Sequence, residues 1–176
     1  MPVERRQVLG EQRSAVSELG PASVGELTAL NSAAYPLTAG GAGDPTGAQV
    51  AAELADPDVI SLGVREPAPG RQLVAAASVR VDPDQPGVAD VARLVVEPGH
   101  GRRGLGTLLL RADEHRLPAQ VVELWLRVSL SDEHSLRFYA RHGYRQAHRD
   151  HDRAGTTVRL VKTRARRGRH AQHHGE

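Results

Sequence analysis

The stretch Leu94-Val95-Val96-Glu97-Pro98-Gly99-His100-Gly101-Arg102-Arg103-Gly104-Leu105-Gly106-Thr107 constrains the fold more than any other part of the chain. An apolar run ends at a proline, glycines crowd the turn that follows, and helical periodicity starts near Leu105. The pattern predicts a strand that runs into a turn and opens a helix. Such a turn can aim several backbone N–H groups at one point, and the helix N-terminus adds positive potential, so the place suits a phosphate. Gly104 and Gly106 lack Cβ and let a pyrophosphate approach the backbone closely. Arg102 and Arg103 can add charge-assisted bonds. A plain strand-to-helix turn with solvent-facing arginines has the same pattern. Gly99 to Gly104 also matches G-x-G-x-x-G, the dinucleotide fingerprint. Against that stand Pro98 between strand and turn, the short sequence left for a full dinucleotide fold, and Glu123, an acidic residue placed inside a strand and not at its end. A P-loop is excluded, because no G-K-[ST] follows.

Periodicity supplies the elements around this turn. Ala15 to Leu19 reads as a short strand. Ser23 reads as the N-cap of a first helix, with Glu26 completing a capping box and Leu27, Leu30 and Ala34 on its inner face. After the Gly-rich stretch Thr38 to Gly47, Asp44-Pro45 opens a second helix to about Ala55. Val59 to Val64, Gln72 to Val81 and Val88 to Val96 are strands separated by turn signals. Arg103 to Arg116 is a helix with Leu105, Leu108, Leu109 and Ala112 on one face. Val121 to Leu130 is a strand, Asp132 to Arg141 a helix, and Gly143 to His148 and Thr157 to Val161 are closing strands. The order predicts a mixed α/β (α+β) single domain, with a central sheet of about six to seven strands and about four helices. Residues 14–162 form that domain, between a flexible extension (1–13) and a basic, His-rich disordered tail (163–176).

Composition removes several function classes. Of 176 residues, 39% are apolar, enough for one core. The formal net charge is +2, aromatics are 3%, and the basic residues concentrate in the tail, so nucleic acid is disfavoured. An acidic-partner role for that tail is a lesser reading than a solvated end. Lys162 is the only lysine among 23 basic residues, a bias that fits GC-rich codon usage. No cysteine is present, which excludes disulfides, Cys-ligated zinc and an acyl-cysteine intermediate. No apolar run approaches the ~20 residues of a membrane span. Met1 to Gln12 lacks the apolar stretch of a secretory signal, so the expected location is cytoplasmic. His148, Asp150, His151 and Asp152 have some metal-ligand character, but a polar turn before the last strand is the favoured reading, and no metal site is expected.

At the glycine turn the sequence resembles the GNAT superfamily of N-acetyltransferases. That family's acetyl-CoA motif is V-x-P-x-x-[QR]-x-x-G-x-[GA], and Val96, Pro98, Gly104 and Gly106 match it. Gly101 stands where the family prefers Gln or Arg. A second motif, N-x-x-A-x-x-F-Y-x-x-x-G-[FY], is matched at Phe138, Tyr139, Gly143 and Tyr144, with Asp132 for Asn and Ser135 for Ala. The clear resemblance covers Asp90 to Tyr144. It implies acetyl transfer from acetyl-CoA to a primary amine of a small molecule or protein. It implies pairing of the Leu94, Val95 and Val96 backbone with the pantetheine arm. It also implies a pyrophosphate cradle over Arg102, Arg103, Gly104, Leu105, Gly106 and Thr107, and Asp132 counts among the cofactor-binding residues. A homodimer is a further expectation from related proteins.

The chemistry asks for a base, an oxyanion donor and an acid for the leaving thiolate. A free tyrosine has pKa ~10 and stays protonated at neutral pH; by resemblance, Tyr139 is that acid. A backbone N–H near Leu94 to Val96 is the oxyanion donor. Asp90 lies 14 positions before Gly104, where some members that acetylate histones carry a Glu, and strand alternation puts Asp90, Ala92, Leu94 and Val96 on one face. That makes Asp90 the candidate base; a solvent-exposed aspartate at a strand start is the alternative. Arg127 occupies the position where members resembling ribosomal-protein acetyltransferases carry a catalytic Glu; it could recognise an anionic part of the acceptor, or serve in a surface ion pair. The Tyr35 to Gly47 stretch is a candidate pocket wall. A CoA-binding module without catalysis and a nicotinamide-dependent oxidoreductase are the competing functions.

Overall fold

The computed structural model describes residues 16–34, 45–153 and 155–165. The N-terminal extension, most of the Tyr35 to Gly47 stretch and the tail from residue 166 lie outside the described residues. Seven strands form one sheet in the order β1-β2-β3-β4-β5-β7-β6, with β1 at Val16–Glu18, β2 at Val59–Arg65, β3 at Leu73–Val81, β4 at Val88–Val96, β5 at Glu123–Ser129, β6 at Arg145–Asp152 and β7 at Gly155–Thr163. Neighbours run antiparallel except β4 and β5, which are parallel. Among the described residues, four α-helices, α1 (Val24–Ala34), α2 (Gly47–Ala55), α3 (Leu105–Arg116) and α4 (Glu133–Arg141), flank the sheet. This is the mixed single-domain architecture that the periodicity predicts, with elements in the predicted order.

Strand β3 explains why helices sit on both faces. Its residues Leu73 to Val79 are all buried, and Ala75, Ala76 and Ala77 keep its centre thin. Ala76 packs toward Leu27, Leu30 and Val50 of α1 and α2. Ala75 and Ala77 pack toward Leu105 and Leu109 of α3. Removing such leucines from water contributes roughly 1.5–3 kcal/mol each. Polar groups in this layer are paired where they meet: Ser61 and Ser78 share a hydrogen bond of 2.9 Å between β2 and β3.

Local details depart from the sequence reading for identifiable reasons. Helix α1 continues from a 3-10 turn at Pro21–Ser23, so Ser23 sits within a helical turn instead of capping one. Glu26 is drawn away by Arg65, which donates to both carboxylate oxygens at 3.1 and 2.7 Å. The reciprocal capping box occurs instead on α2, between Thr46 and Gln49, so that helix starts after Thr46 and not at Asp44-Pro45. On α3 the buried positions are Leu105, Leu109, Leu110 and Asp113, while Leu108 is 38% exposed. Leu110 turns inward because a second cluster, with Leu117, Leu124 and Tyr139, receives it. His148, Asp150 and His151 belong to strand β6 and not to a turn. His151 Nδ1 lies 2.8 Å from Thr156 Oγ1, and among the described residues no three potential ligands converge on a metal position. No helix among the described residues is long and apolar enough to cross a membrane.

The folded chain also runs past residue 162. β7 includes Thr163, and the Arg164 guanidinium donates to the carbonyls of Val121 (2.7 Å), Glu114 (2.8 Å) and Pro118 (3.2 Å). The bond to Glu114 satisfies an acceptor that the last turn of α3 leaves open, and the other two tie the segment after α3 to the end of β7.

Asp113 is the opposite case. It is fully buried on α3, and neither carboxylate oxygen has a hydrogen-bond partner. Burial pushes its pKa up to about 8, against a weaker downward pull from Arg116. The unfolded chain holds this group near ~3.9. The folded state therefore prefers the protonated acid, and its stability is eroded as pH rises from about 4 to 8. Asp113→Asn is expected to raise the urea midpoint at pH 9 by the equivalent of about 2 kcal/mol, with a smaller gain at pH 5. Equal gains at both pH values would show that the carboxylate is not the destabilising group.

Candidate active site

The site starts where β4 and β5 stop pairing. Their parallel ladder covers Val88↔Glu123, Ala89↔Leu124 and Asp90↔Trp125 and ends there. On its other edge β4 carries a bulge: Ser78 is opposite Arg93 and Val79 opposite Val91, so Ala92 is the extra residue. A bulge bends its strand, and beyond it the two strands form a fork. The fork holds a cleft of about 330 Å³, lined by β4 residues 91–96, β5 residues 126–129 and Asp132, Ser135 and Tyr139.

The bulge also reverses the side-chain alternation of β4. Ala89 and Val91 pack with Leu110 and Leu124, on the face of α3 and α4. Leu94 and Val96 pack on that same face against Leu105 and Leu109, and Val95 turns to α1 and α2. Asp90 therefore does not share a face with Leu94 and Val96, as simple alternation predicts. It lies level with Arg80 and Trp125, at the apex of the fork, and lines neither the fork nor the cleft next to it. Burial raises its pKa, while Arg80, Arg127 and Arg159 pull it down.

The glycine turn forms the second cleft, of about 430 Å³. A 3-10 turn at Pro98–His100 follows β4, and Arg102 and Gly104 both take left-handed conformations, at φ 62° and 73°. Helix α3 begins at Leu105, two residues later than Arg103, because Gly104 is its N-cap. Its first helical backbone bond is Leu108 N–H to Gly104 O, so the amides of Leu105, Gly106 and Thr107 have no acceptor within the helix. Arg102, Gly104, Leu105, Gly106 and Thr107 line this cleft; Arg103 does not. A Cβ at Gly106 would meet Phe138 Cζ at 3.4 Å, an ordinary contact, so packing within the protein does not demand glycine there.

Sequence reading missed the clasp that holds this turn. His100 Nδ1 is hydrogen-bonded to Glu97, and Nε2 lies 2.7 Å from Glu66 in the β2–β3 connection. Both partners are carboxylates that accept, so both ring nitrogens must donate, which is the imidazolium form. The bonds to Glu97 and then Glu66 raise the His100 pKa accordingly. Glu66 is 34 residues away from His100, a separation that no local pattern bridges.

Helix α4 joins the two clefts. Leu94, Val96, Ser135 and Tyr139 line both of them. The Asp132 carboxylate caps α4, accepting from Ser135 N at 3.0 Å and Ser135 Oγ at 2.6 Å, and Asp132 lines the fork, not the glycine-turn cleft. Tyr139 is 8% exposed and held edge-on between Phe138 and Tyr144, with ring centroids 5.2 and 5.4 Å away. His142 Nδ1 donates to Phe138 O at 2.7 Å, and its Nε2 meets Thr107 Oγ1 at 3.0 Å, tying α4 to the start of α3.

Known proteins share this fold. The sequence profile of the acetyltransferase (GNAT) family matches residues 32–144. The chain belongs to that family. No curated protein matches it in sequence. Among solved structures it is similar to the ribosomal-protein-S18-alanine N-acetyltransferase of Escherichia coli, with 18% identity over 89% of this chain and 97% of that one and a TM-score of 0.73. It is similar to the PaiA N-acetyltransferase of Thermoplasma acidophilum, solved with coenzyme A, at 16% identity over 85% and 98% and a TM-score of 0.70. It is also similar to AAC(6')-Ib in complex with paromomycin and acetyl-CoA, at 21% identity over 85% and 93% and a TM-score of 0.66. At these identities the likeness is one of fold.

The two glycines of the turn separate conformation from space. Nothing lies within 4 Å of a Cβ built at Gly104, yet its φ is left-handed; Gly101 has φ −57° and only Pro98 O at 3.6 Å. Gly104→Ala is expected to lower stability by about 1 kcal/mol in a urea titration, and Gly101→Ala to change it little. Equal effects would mean that the backbone of the turn is not fixed as described.

Proposed function

We propose that the joined clefts bind acetyl-CoA and an amine, and that the protein moves the acetyl group directly from one to the other. The observation that carries this reading is the meeting of the fork and the glycine-turn cleft at Tyr139. Beyond Asp90, the β4 edge that faces β5 has lost its partner strand, so those backbone groups of Leu94 to Val96 that point away from β3 are available to a pantetheine arm. The unpaired amides of Leu105, Gly106 and Thr107, with the helix dipole and Arg102, suit the pyrophosphate. Arg103 lies outside the cleft lining, so its contribution is long-range charge. Asp132 positions α4 by capping it.

In the reaction the neutral amine attacks the thioester carbonyl. A C–N bond forms, a β4 backbone N–H stabilises the oxyanion, and the C–S bond then breaks. The Tyr139 hydroxyl donates its proton to the leaving thiolate. The proton lost by the amine passes through water to Asp90 at the apex of the fork. A raised Asp90 pKa suits a base that must accept a proton near neutrality. The dinucleotide reading has less support: the first glycine of the match, Gly99, lies inside a 3-10 turn that separates β4 from α3, and Glu123 begins β5 instead of ending it.

Calorimetric titration is expected to show acetyl-CoA binding and no NAD binding; the reverse result would remove this reading. Tyr139→Phe is expected to lower kcat by about 10²-fold with acetyl-CoA affinity nearly intact. Intact affinity with no turnover in the wild type, over a broad amine panel, would favour a CoA-binding module.

Asp90 sets a pH dependence. A base must be ionised, so activity is present above its raised pKa and falls as pH drops through it. Asp90→Asn is expected to lower kcat/KM and to flatten that acid limb. An unchanged limb in the variant would remove Asp90 from the proton path.

A further inference from the structure

The open end of the fork carries an unusual charge arrangement. Trp125, Arg127 and Ser129 of β5 face away from α3 and α4, on the side where α1 and α2 pack against β2, β3 and β4. There Arg127 lies directly opposite Arg159 on β7. Like charges facing each other across a ladder are destabilising, and nearby carboxylates only partly offset this pair. Arg127 is 62% exposed and reaches Asp150 at 4.0 Å, while Asp150 also lies 3.2 Å from His148. Arg159 is stacked on Trp125, its guanidinium 4.4 Å from the ring centroid, and its Nε is buried without a hydrogen-bond partner. Arg127 leans on the same ring at 5.8 Å. Arg80, the other arginine near Asp90, is already paired with Asp56 at 2.6 Å. Stacking on an indole orients a guanidinium and leaves its edge free for a planar anion.

Arg127 lines the same cleft as Tyr139. We infer that the amine acceptor is a small molecule that also carries an anionic oxygen group, a carboxylate or a phosphate, held by Arg127 and Arg159 at the mouth of the fork while its amine reaches the β4 bulge. The inference rests on the acetyl transfer proposed above. Two arginines on one wall repel polycationic acceptors and draw in an amine whose own anion offsets its charge. Arginine's fork of donors fits both carboxylate and phosphate.

Charge-matched acceptors test this. Acetyl-CoA binding is measured first on the same preparation; its failure would remove the acetyl-transfer reading and this inference with it. The enzyme is then given 4-aminobutyrate against butylamine, phosphoethanolamine against ethanolamine, and spermidine. Both CoA release and binding to the CoA complex are followed. The anionic member of at least one pair is expected to be preferred on the order of tenfold, the scale of one hydrogen bond to a charged partner; the pair that responds identifies carboxylate or phosphate. Arg127→Gln and Arg159→Gln are expected to bring that ratio toward one, mainly through KM, and Arg127→Lys to restore part of it. Because the ratio is taken within one preparation, loss of folded protein cancels. Preference for butylamine, ethanolamine or spermidine, no preference in either readout, or a ratio that survives Arg127→Gln would each overturn the inference while leaving acetyl transfer standing.

Discussion

The parting of β4 from β5 is the constraint on which the site depends. Backbone groups released from a ladder have to find another partner or water, so a fork in the middle of a sheet holds hydrogen-bonding capacity open. Ala92 makes the fork by adding one residue to one side of the β3–β4 ladder. The same residue reverses which side chains face α3. One inserted position therefore opens the cleft, aims Leu94 and Val96 toward it and moves Asp90 to the other face. Everything else around the cleft is support for that geometry. β3 holds β4 from behind with its alanine-lined centre, and α4 closes the front with Tyr139 held between two rings.

The glycine turn is braced from two directions. The His100 clasp ties it to the β2–β3 connection through Glu66, and the Thr107–His142–Phe138 chain ties it to α4. The left-handed Arg102 and Gly104 let the chain reverse between these anchors. The amides at the start of α3 are thus fixed in space before any ligand arrives, which reduces the ordering cost of binding.

The sequence made the elements legible because each has a period that its neighbours reinforce. β4 was readable to the residue from its apolar run, and α4 from Asp132 at its cap. The bulge was not readable, since Ala92 looks like any other member of an alternating strand until β3 is laid beside it. The faces of Asp90 and Leu94 were lost with it. Leu108 and Leu110 exchanged their expected roles because α3 is buried against two clusters, and one-face periodicity describes a helix with one. His148, Asp150 and His151 looked like turn residues because they are polar, but an edge strand open to solvent tolerates polar residues as well as a turn does. The His100 clasp and the Arg127–Arg159 pair are contacts between distant segments, and no window of sequence contains both partners.

Among the described residues, the last strand in sequence is not the last in the sheet. β7 lies between β5 and β6 and bonds to both. Arg164, just after it, supplies the cap for the end of α3. β5 therefore gains its second ladder only from a segment that follows β6 in the chain, and closing the sheet costs the entropy of bringing distant residues together. The contacts of Trp125 and Arg127 with Arg159 are among these long-range ones, so that side of the fork takes shape only when the sheet closes.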